Sequence, residues 1–186
     1  EKPGFKVGDT VHGTIDWERR KQLSQHHTAT HIMTYAARTV LGKHANQASA
    51  KKTMEKGQLD VTHYASITEQ QLKEMEKVAN ELARKKIPIH LSFMPRNEAE
   101  QEFGMGIYQG GVVPGKQIRI VNIHGYDVEA CGGTHLHDTS EVGRIKVLKA
   151  TKVSDGIVRV TYTAGKAAEQ TQTGEEGLLE ETARIL

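Results

Sequence analysis

The chain has 186 residues, of which 37% are hydrophobic and 5% aromatic, and it carries a formal charge of +2 at neutral pH. That suffices for one large domain with a modest core, and a charge so close to balance does not by itself announce nucleic acid. One cysteine excludes an internal disulfide and fits a reducing compartment, and the lack of a signal peptide or a run of about 18 apolar residues points to a cytoplasmic protein that does not span a membrane.

In chain order, FKVGDTVHGTIDW alternates at Val7, Thr10, Val11, Gly13 and Ile15 around Gly8 and Asp9, which predicts one or two short strands. From Glu18 to Leu41 the spacing is helical, with Leu23, His27, Ala29, His31, Ile32, Tyr35, Ala36 and Val40 on a broad face that Gly42 ends. Arg19, Arg20 and Lys21 stand at its entry, either as a solvated cluster or as phosphate contacts. LGKHANQASAKK and GQLDVTHYAS predict a hairpin that turns at Lys56 and Gly57, with Gln47, Ser49 and Thr62 as candidates to face a cavity. Thr68 opens a capping box with Gln71, and Leu72, Met75, Val78, Ala79 and Leu82 form the core stripe of a second helix, which runs to about Lys86 before Pro88.

IHLSFM alternates at Ile89, Leu91 and Phe93 as a strand, and PRNEAEQEFG reads as a short helix between Pro95 and Gly104. The glycine-rich GMGIYQGGVVPG is too irregular for a phosphate-cradling loop. It is expected as a mobile surface loop that approaches RNA or closes over a site, or as a passive connector. IRIVNI and YDVEA are strands broken at Gly125, the second leading into Cys131, and VGRIKVLKATKV and GIVRVTYTAG pair around Ser154, Asp155 and Gly156. The tail ends in a helix spaced at Leu178, Leu179, Ala183 and Leu186. The fold class is α+β: a mostly antiparallel sheet packed against two long helices.

Chemistry concentrates in two short motifs, SQHHTATHIM and EACGGTHLH. His27 and His31 are spaced i, i+4, which puts them on one helix face a turn apart, and Cys131 and His135 repeat that spacing about a hundred residues later. Three imidazoles and one thiolate suit Zn2+ in a tetrahedron with bonds of roughly 2.0 to 2.3 Å, whereas Mg2+ would want oxygen ligands. Two alternatives stand beside it: core histidines with an inert buried thiol, or Cys131 as a nucleophile with a histidine base. Four protein ligands mark a structural metal, and a catalytic one needs an open position.

HTATH at 27 to 31 and CGGTH at 131 to 135 resemble the zinc-dependent editing domain of alanyl-tRNA synthetases. The likeness extends through VGDTVHGTIDWERRKQLSQ, LGKHANQASAKK, GQLDVTHY and GGTHLHDTSEVGRIKV, from about Phe5 to Ala168, and MGIYQGGVVPGKQIRIV is similar to the archaeal branch. Free-standing alanyl editing proteins share the frame. The threonyl-tRNA synthetase editing domain has a similar one, usually without the CGGTH form. One departure is Thr139-Ser140, where the family usually carries Thr-Gly.

The resemblance implies the threonyl/alanyl editing-domain fold, with 1–17 as the tail of a truncated N-terminal β-barrel, 18–168 as the zinc-containing domain, and 169–186 as a linker and helix leading to a further C-terminal domain. It implies hydrolysis of Ser-tRNA(Ala) and Gly-tRNA(Ala) within an alanine–tRNA ligase, with the acceptor end of tRNA(Ala) and the rest of the synthetase as partners. A free-standing trans-editing deacylase and a non-catalytic zinc-stabilised RNA-binding module are the alternatives. Zn2+ would be held by His27, His31, Cys131 and His135, while ATP and Mg2+ belong to another part of the parent protein. Gln47 matches a family glutamine of the editing pocket. Thr30 is expected either to bond the serine hydroxyl or only its own helix backbone. Gly132 and Gly133 offer N–H groups to a developing oxyanion.

Overall fold

A computed structural model describes residues 4–111 and 113–171. The first element is the helix α1, Trp17–Leu41, which starts one residue before the expected Glu18 because the Asp16 carboxylate accepts from the Arg19 N–H at 3.0 Å. Ala29, Ile32, Met33, Ala36 and Ala37 are fully buried along it. Buried polar residues share its girth: Gln22, Gln25, His26, Thr28, Thr30, His31 and Thr34.

Two antiparallel sheets flank this helix. After α1 come β1 (Gln47–Lys52), β2 (Gly57–Thr62), the helix α2 (Glu69–Arg84), β3 (Ile89–Pro95), the helix α3 (Arg96–Phe103), β4 (Gln117–Ile123), β5 (Asp127–Ala130), β6 (Ile145–Ser154) and β7 (Ile157–Ala164). One sheet has the order β1-β2-β7-β6 and the other β3-β4-β5, so the single sheet expected is in fact two. Their joint is α1, which touches β1, β2 and β7 on one side and β5 on the other. The second helix forms as its capping box dictates: Thr68 and Gln71 bond reciprocally, and Met75, Ala79, Leu82 and Ala83 are buried against the main core. A smaller core of Ala99, Ile107, Ile118, Ile120 and Ala130 lies beneath α3. No helix among the described residues is long and apolar enough to cross a membrane.

Several expectations need correction. Residues 5–16 form no strand; Val7, Val11 and Ile15 stand exposed with no edge among the described residues to pair with, and a lone extended segment gains no ladder. Gly57 is not in the turn but opens β2, where a Cβ would lie 2.4 Å from the Tyr162 ring. In β3 only Ile89 of the alternating trio is buried, since β3 is an edge strand; Leu91 and Phe93 are 48% and 75% exposed. The glycine-rich stretch is a surface segment, as expected, but an anchored one: Ile107 is buried in a short 3-10 turn and Gly110, at φ +83°, seats against the Ala48 carbonyl. The expected tail helix at Leu178–Leu186 lies outside the described residues.

Ser49 and Thr62 are committed to the sheet. Thr62 accepts from the Asn46 N–H at 3.0 Å, and Ser49 donates to Asp60 at 2.7 Å. Asp60 in turn receives the Arg159 fork at 2.7 and 2.9 Å across the β2–β7 pair, so one carboxylate ties β1, β2 and β7 together. The Arg159 guanidinium holds the Asp60 carboxyl below its usual range, against the opposing effect of burial and with help from Ser49. A depressed carboxylate stabilises the fold fully above its unfolded pKa of about 3.9 and loses that contribution as pH falls through the folded value. Asp60→Asn should therefore lower Tm near neutral pH, with a gap from wild type that closes below about pH 3.9; a pH-independent gap would contradict the ion-pair account.

Candidate metal centre

His27 and His31 project from the third and fourth turns of α1, and Cys131 and His135 come from the loop that follows β5. Although remote in sequence, their ligand atoms all lie within 4.8 Å of one another. Cys131 Sγ is 3.3 Å from His27 Nε2 and 3.4 Å from His135 Nε2. A tetrahedron with bonds of about 2.0 to 2.3 Å has edges of about 3.3 to 3.8 Å. Those two contacts match such an edge, and the four donors together can hold a metal.

The loop is shaped to meet the helix. The Cys131 N–H donates to the Arg119 carbonyl at 3.1 Å, extending the β4–β5 ladder by one residue. The Arg119 side chain then folds over and donates to the carbonyls of Cys131 and Gly133 at 2.8 and 2.7 Å. Gly133 lies against the first histidine: a Cβ there would be 2.0 Å from His27 Cε1. Thr28, one residue after His27, contacts His135 Nδ1 at 3.3 Å and accepts from the Leu136 N–H at 3.2 Å, so α1 also orients the fourth donor.

Behind His31 lies a buried charge network. His31 Nδ1 donates to Asp127 at 3.0 Å, Gln109 Nε2 lies 3.4 Å from His31 Nε2, and Arg38 donates to the second Asp127 oxygen at 2.9 Å. Glu129 lies 3.2 Å from the same imidazole nitrogen and accepts from Gln109. His31, Asp127 and Glu129 form a second cluster that meets simple metal-ligand spacing. Arg38 already supplies a positive charge there, so the cluster acts as the support of His31 in the carboxylate–histidine–metal manner.

Burial opposes charge throughout the site, and the neighbours decide the outcome. It disfavours the Cys131 thiolate, but hydrogen bonds from His135, His27 and His31 outweigh it and bring the pKa down to about 2, leaving the ligand form of sulfur. Burial also lowers His27, and takes His135 down to about 4, so both imidazoles are neutral and available. For His31 burial again opposes the charge, yet the Glu129 and Asp127 carboxylates raise its pKa. Glu129 is itself pushed up by burial.

The other predicted residues fall into distinct places. Gln47 is buried at the start of β1, and its Oε1 has no hydrogen-bond partner among the described residues. The Thr30 hydroxyl donates to the His26 carbonyl at 2.9 Å and lies 2.6 Å from Tyr162 Oη. Gly132 is open, with nothing near its missing Cβ. Arg38, Gln109, Arg119, Asp127 and Glu129 were not singled out from sequence. One signal was readable: Asp127, Glu129 and Cys131 alternate, which on a strand aims all three at one face.

Residues 118–161 match the family model described as the threonyl and alanyl tRNA synthetase second additional domain. Over 182 residues the chain is 50% identical to an alanine–tRNA ligase of Methanococcus maripaludis, covering 98% of this chain and 20% of that protein. The corresponding enzyme of Methanocella arvoryzae is 53% identical over 175 residues, covering 94% and 20%, and that of Sulfurisphaera tokodaii 44% identical over 186 residues, covering 100% and 21%. The chain is similar, over nearly its whole length, to a segment of alanine–tRNA ligases. It spans about one fifth of the length of these curated relatives. Its fold brings together both motifs on which the resemblance rested.

Two measurements test this centre. Asp127→Asn keeps the side chain's shape but removes the carboxylate that accepts from His31, and should weaken metal binding by about 10- to 100-fold in competition with a chromogenic chelator. Gly133→Ala should displace the His27 ring and weaken binding too, whereas Gly132→Ala should leave it unchanged; equal effects at the two glycines would contradict the packing described.

Proposed function

We propose that this chain hydrolyses the ester joining a wrong amino acid to the terminal ribose of alanine tRNA, releasing serine or glycine, with zinc held by His27, His31, Cys131 and His135. The observation that supports this reading is the convergence of those four donors in a chain half identical to segments of alanine–tRNA ligases. The need for such a step is physical. An alanine pocket excludes the smaller glycine and the hydroxylated serine by only roughly 10- to 200-fold per group, so a second, hydrolytic sieve must supply the rest.

Bound zinc would supply Lewis-acid polarisation of the ester carbonyl or of a water. The surrounding residues do the positioning. Arg119 and Asp127 hold the loop and His31 in place before substrate arrives. Gln47 Oε1, a buried acceptor without a protein partner, takes a hydrogen bond from the substrate's hydroxyl or ammonium. Gly132 and Gly133 offer N–H groups to the developing oxyanion. Thr30, already bonded to the His26 carbonyl and Tyr162, shapes the wall of the site. Activation of alanine with ATP and Mg2+ is assigned to other parts of a full-length ligase, and the acceptor end of tRNA(Ala) is the partner this site admits.

Four protein donors also complete a tetrahedron, which favours a second reading: a structural ion in an RNA-binding module. Incubation with seryl-, glycyl- and alanyl-tRNA(Ala) separates the two. Editing requires release of serine and glycine with alanine left in place, and a fall of at least roughly 100-fold in His31→Ala or Cys131→Ala within an otherwise folded full-length synthetase. RNA binding without release, together with unfolding on chelation, would favour the structural ion.

A further inference from the structure

Beside the metal centre lies a cleft of about 330 Å3, lined by Arg20, Leu23, Ser24, His27, Lys52 and Thr134. The first turns of α1 form one wall, and the end of β1 with the CGGTH loop forms the other. His27 belongs to both the cleft and the metal centre. No carboxylate lines the cleft, and its charged groups are two cations. Lys52 is partly buried, and that burial lowers its pKa, yet no carboxylate forms an ion pair with it among the described residues. Ser24 is only 5% exposed, and its hydroxyl has no hydrogen-bond partner among the described residues.

An ammonium group taken partly out of water without a counter-ion is unfavourable. The Cys131 and Glu129 anions offset the charge on Lys52 in part. A cation bound to Cys131 would cancel the thiolate's share, and the cleft would then present Lys52, Arg20 and two hydroxyls to whatever entered it. That is the donor set of an anion site.

We propose that this cleft binds a phosphodiester of single-stranded RNA, namely the 5′-phosphate of the nucleotide whose ribose carries the ester. The assignment rests on the hydrolytic reading above, since a terminal nucleotide with its ester at the metal centre carries this phosphate one ribose away. Lys52 supplies a point charge at the inner wall, Arg20 a guanidinium at the mouth, and Ser24 and Thr134 supply hydroxyl donors between them.

The test uses the zinc-loaded chain and a fluorescent single-stranded RNA ending in CCA, with binding measured by anisotropy over a range of salt concentrations. Lys52→Gln with Arg20→Gln should weaken binding and reduce the salt slope by about 0.7, the value for one lost phosphate contact on a single strand. Lys51→Gln, on the adjacent exposed residue, should do neither. Replacing the terminal phosphodiester of the RNA by an uncharged methylphosphonate should weaken binding to the wild type and cost the double variant nothing further, because the two changes remove the same contact. An unchanged slope in the double variant, or a methylphosphonate penalty that persists in it, overturns the proposal. So does a fall in zinc content, which would make Lys52 a support of the metal centre, or stronger binding of inorganic phosphate than of the RNA. The slope is read without turnover, so a chain that shows it but releases no amino acid fails the hydrolytic reading alone.

Discussion

A thiolate sulfur 3.3 and 3.4 Å from two imidazole nitrogens is the contact on which the rest of the site depends. Those lengths require a loop and a helix from opposite ends of the chain to meet with little tolerance. Two features make the meeting possible. Gly133 has no side chain, so the loop can lie flat against the His27 ring, and Arg119 crosslinks the loop's own carbonyls so that it keeps its shape. Neither residue donates to a metal, yet each controls whether the donors converge.

The helix α1 is an unusual core element because so many of its buried side chains are polar. Several are spent on different neighbours outside the helix. Gln22 reaches the Ala164 carbonyl, Gln25 that of Glu141, His26 contacts that of Thr53, and Thr30 meets Tyr162. Buried polar groups without partners are costly, so this set specifies one placement of the helix between its sheets. A purely apolar helix could slide or rotate at little expense, and the histidines would lose their geometry. The Asp127–Arg38 pair behind His31 extends the same logic to the metal centre itself.

The segment between α3 and β4 closes the site from the side. Gly110 rests on the backbone of β1, and Gln109 contacts both His31 and Glu129. Connections that carry such contacts are often functional, and this one couples the small sheet to α1 through side chains that a passive linker would not need. With the Lys52 cleft on the far side of His27, the centre is bordered by a closed wall and by an opening lined with cations.

The sequence by itself determined the elements whose signals are local. The spacing of α1, the Thr68–Gln71 box of α2 and the final hairpin follow from helical period, capping and turn chemistry and survive in the structure, and the four candidate donors lie together in it. What it left open depended on contacts between distant residues. Alternation made a strand of residues 5–16, but a strand needs a partner edge, and none meets it among the described residues. The hydroxyl of Thr30 was left between a substrate hydroxyl and its own helix backbone, and in the fold it bonds the His26 carbonyl. Arg38, Arg119, Gln109 and Asp127 are ordinary polar residues one at a time and become the frame of the site only when α1 docks against β5. Long-range packing alone decided them, because a side chain's role is set by what the fold places opposite it.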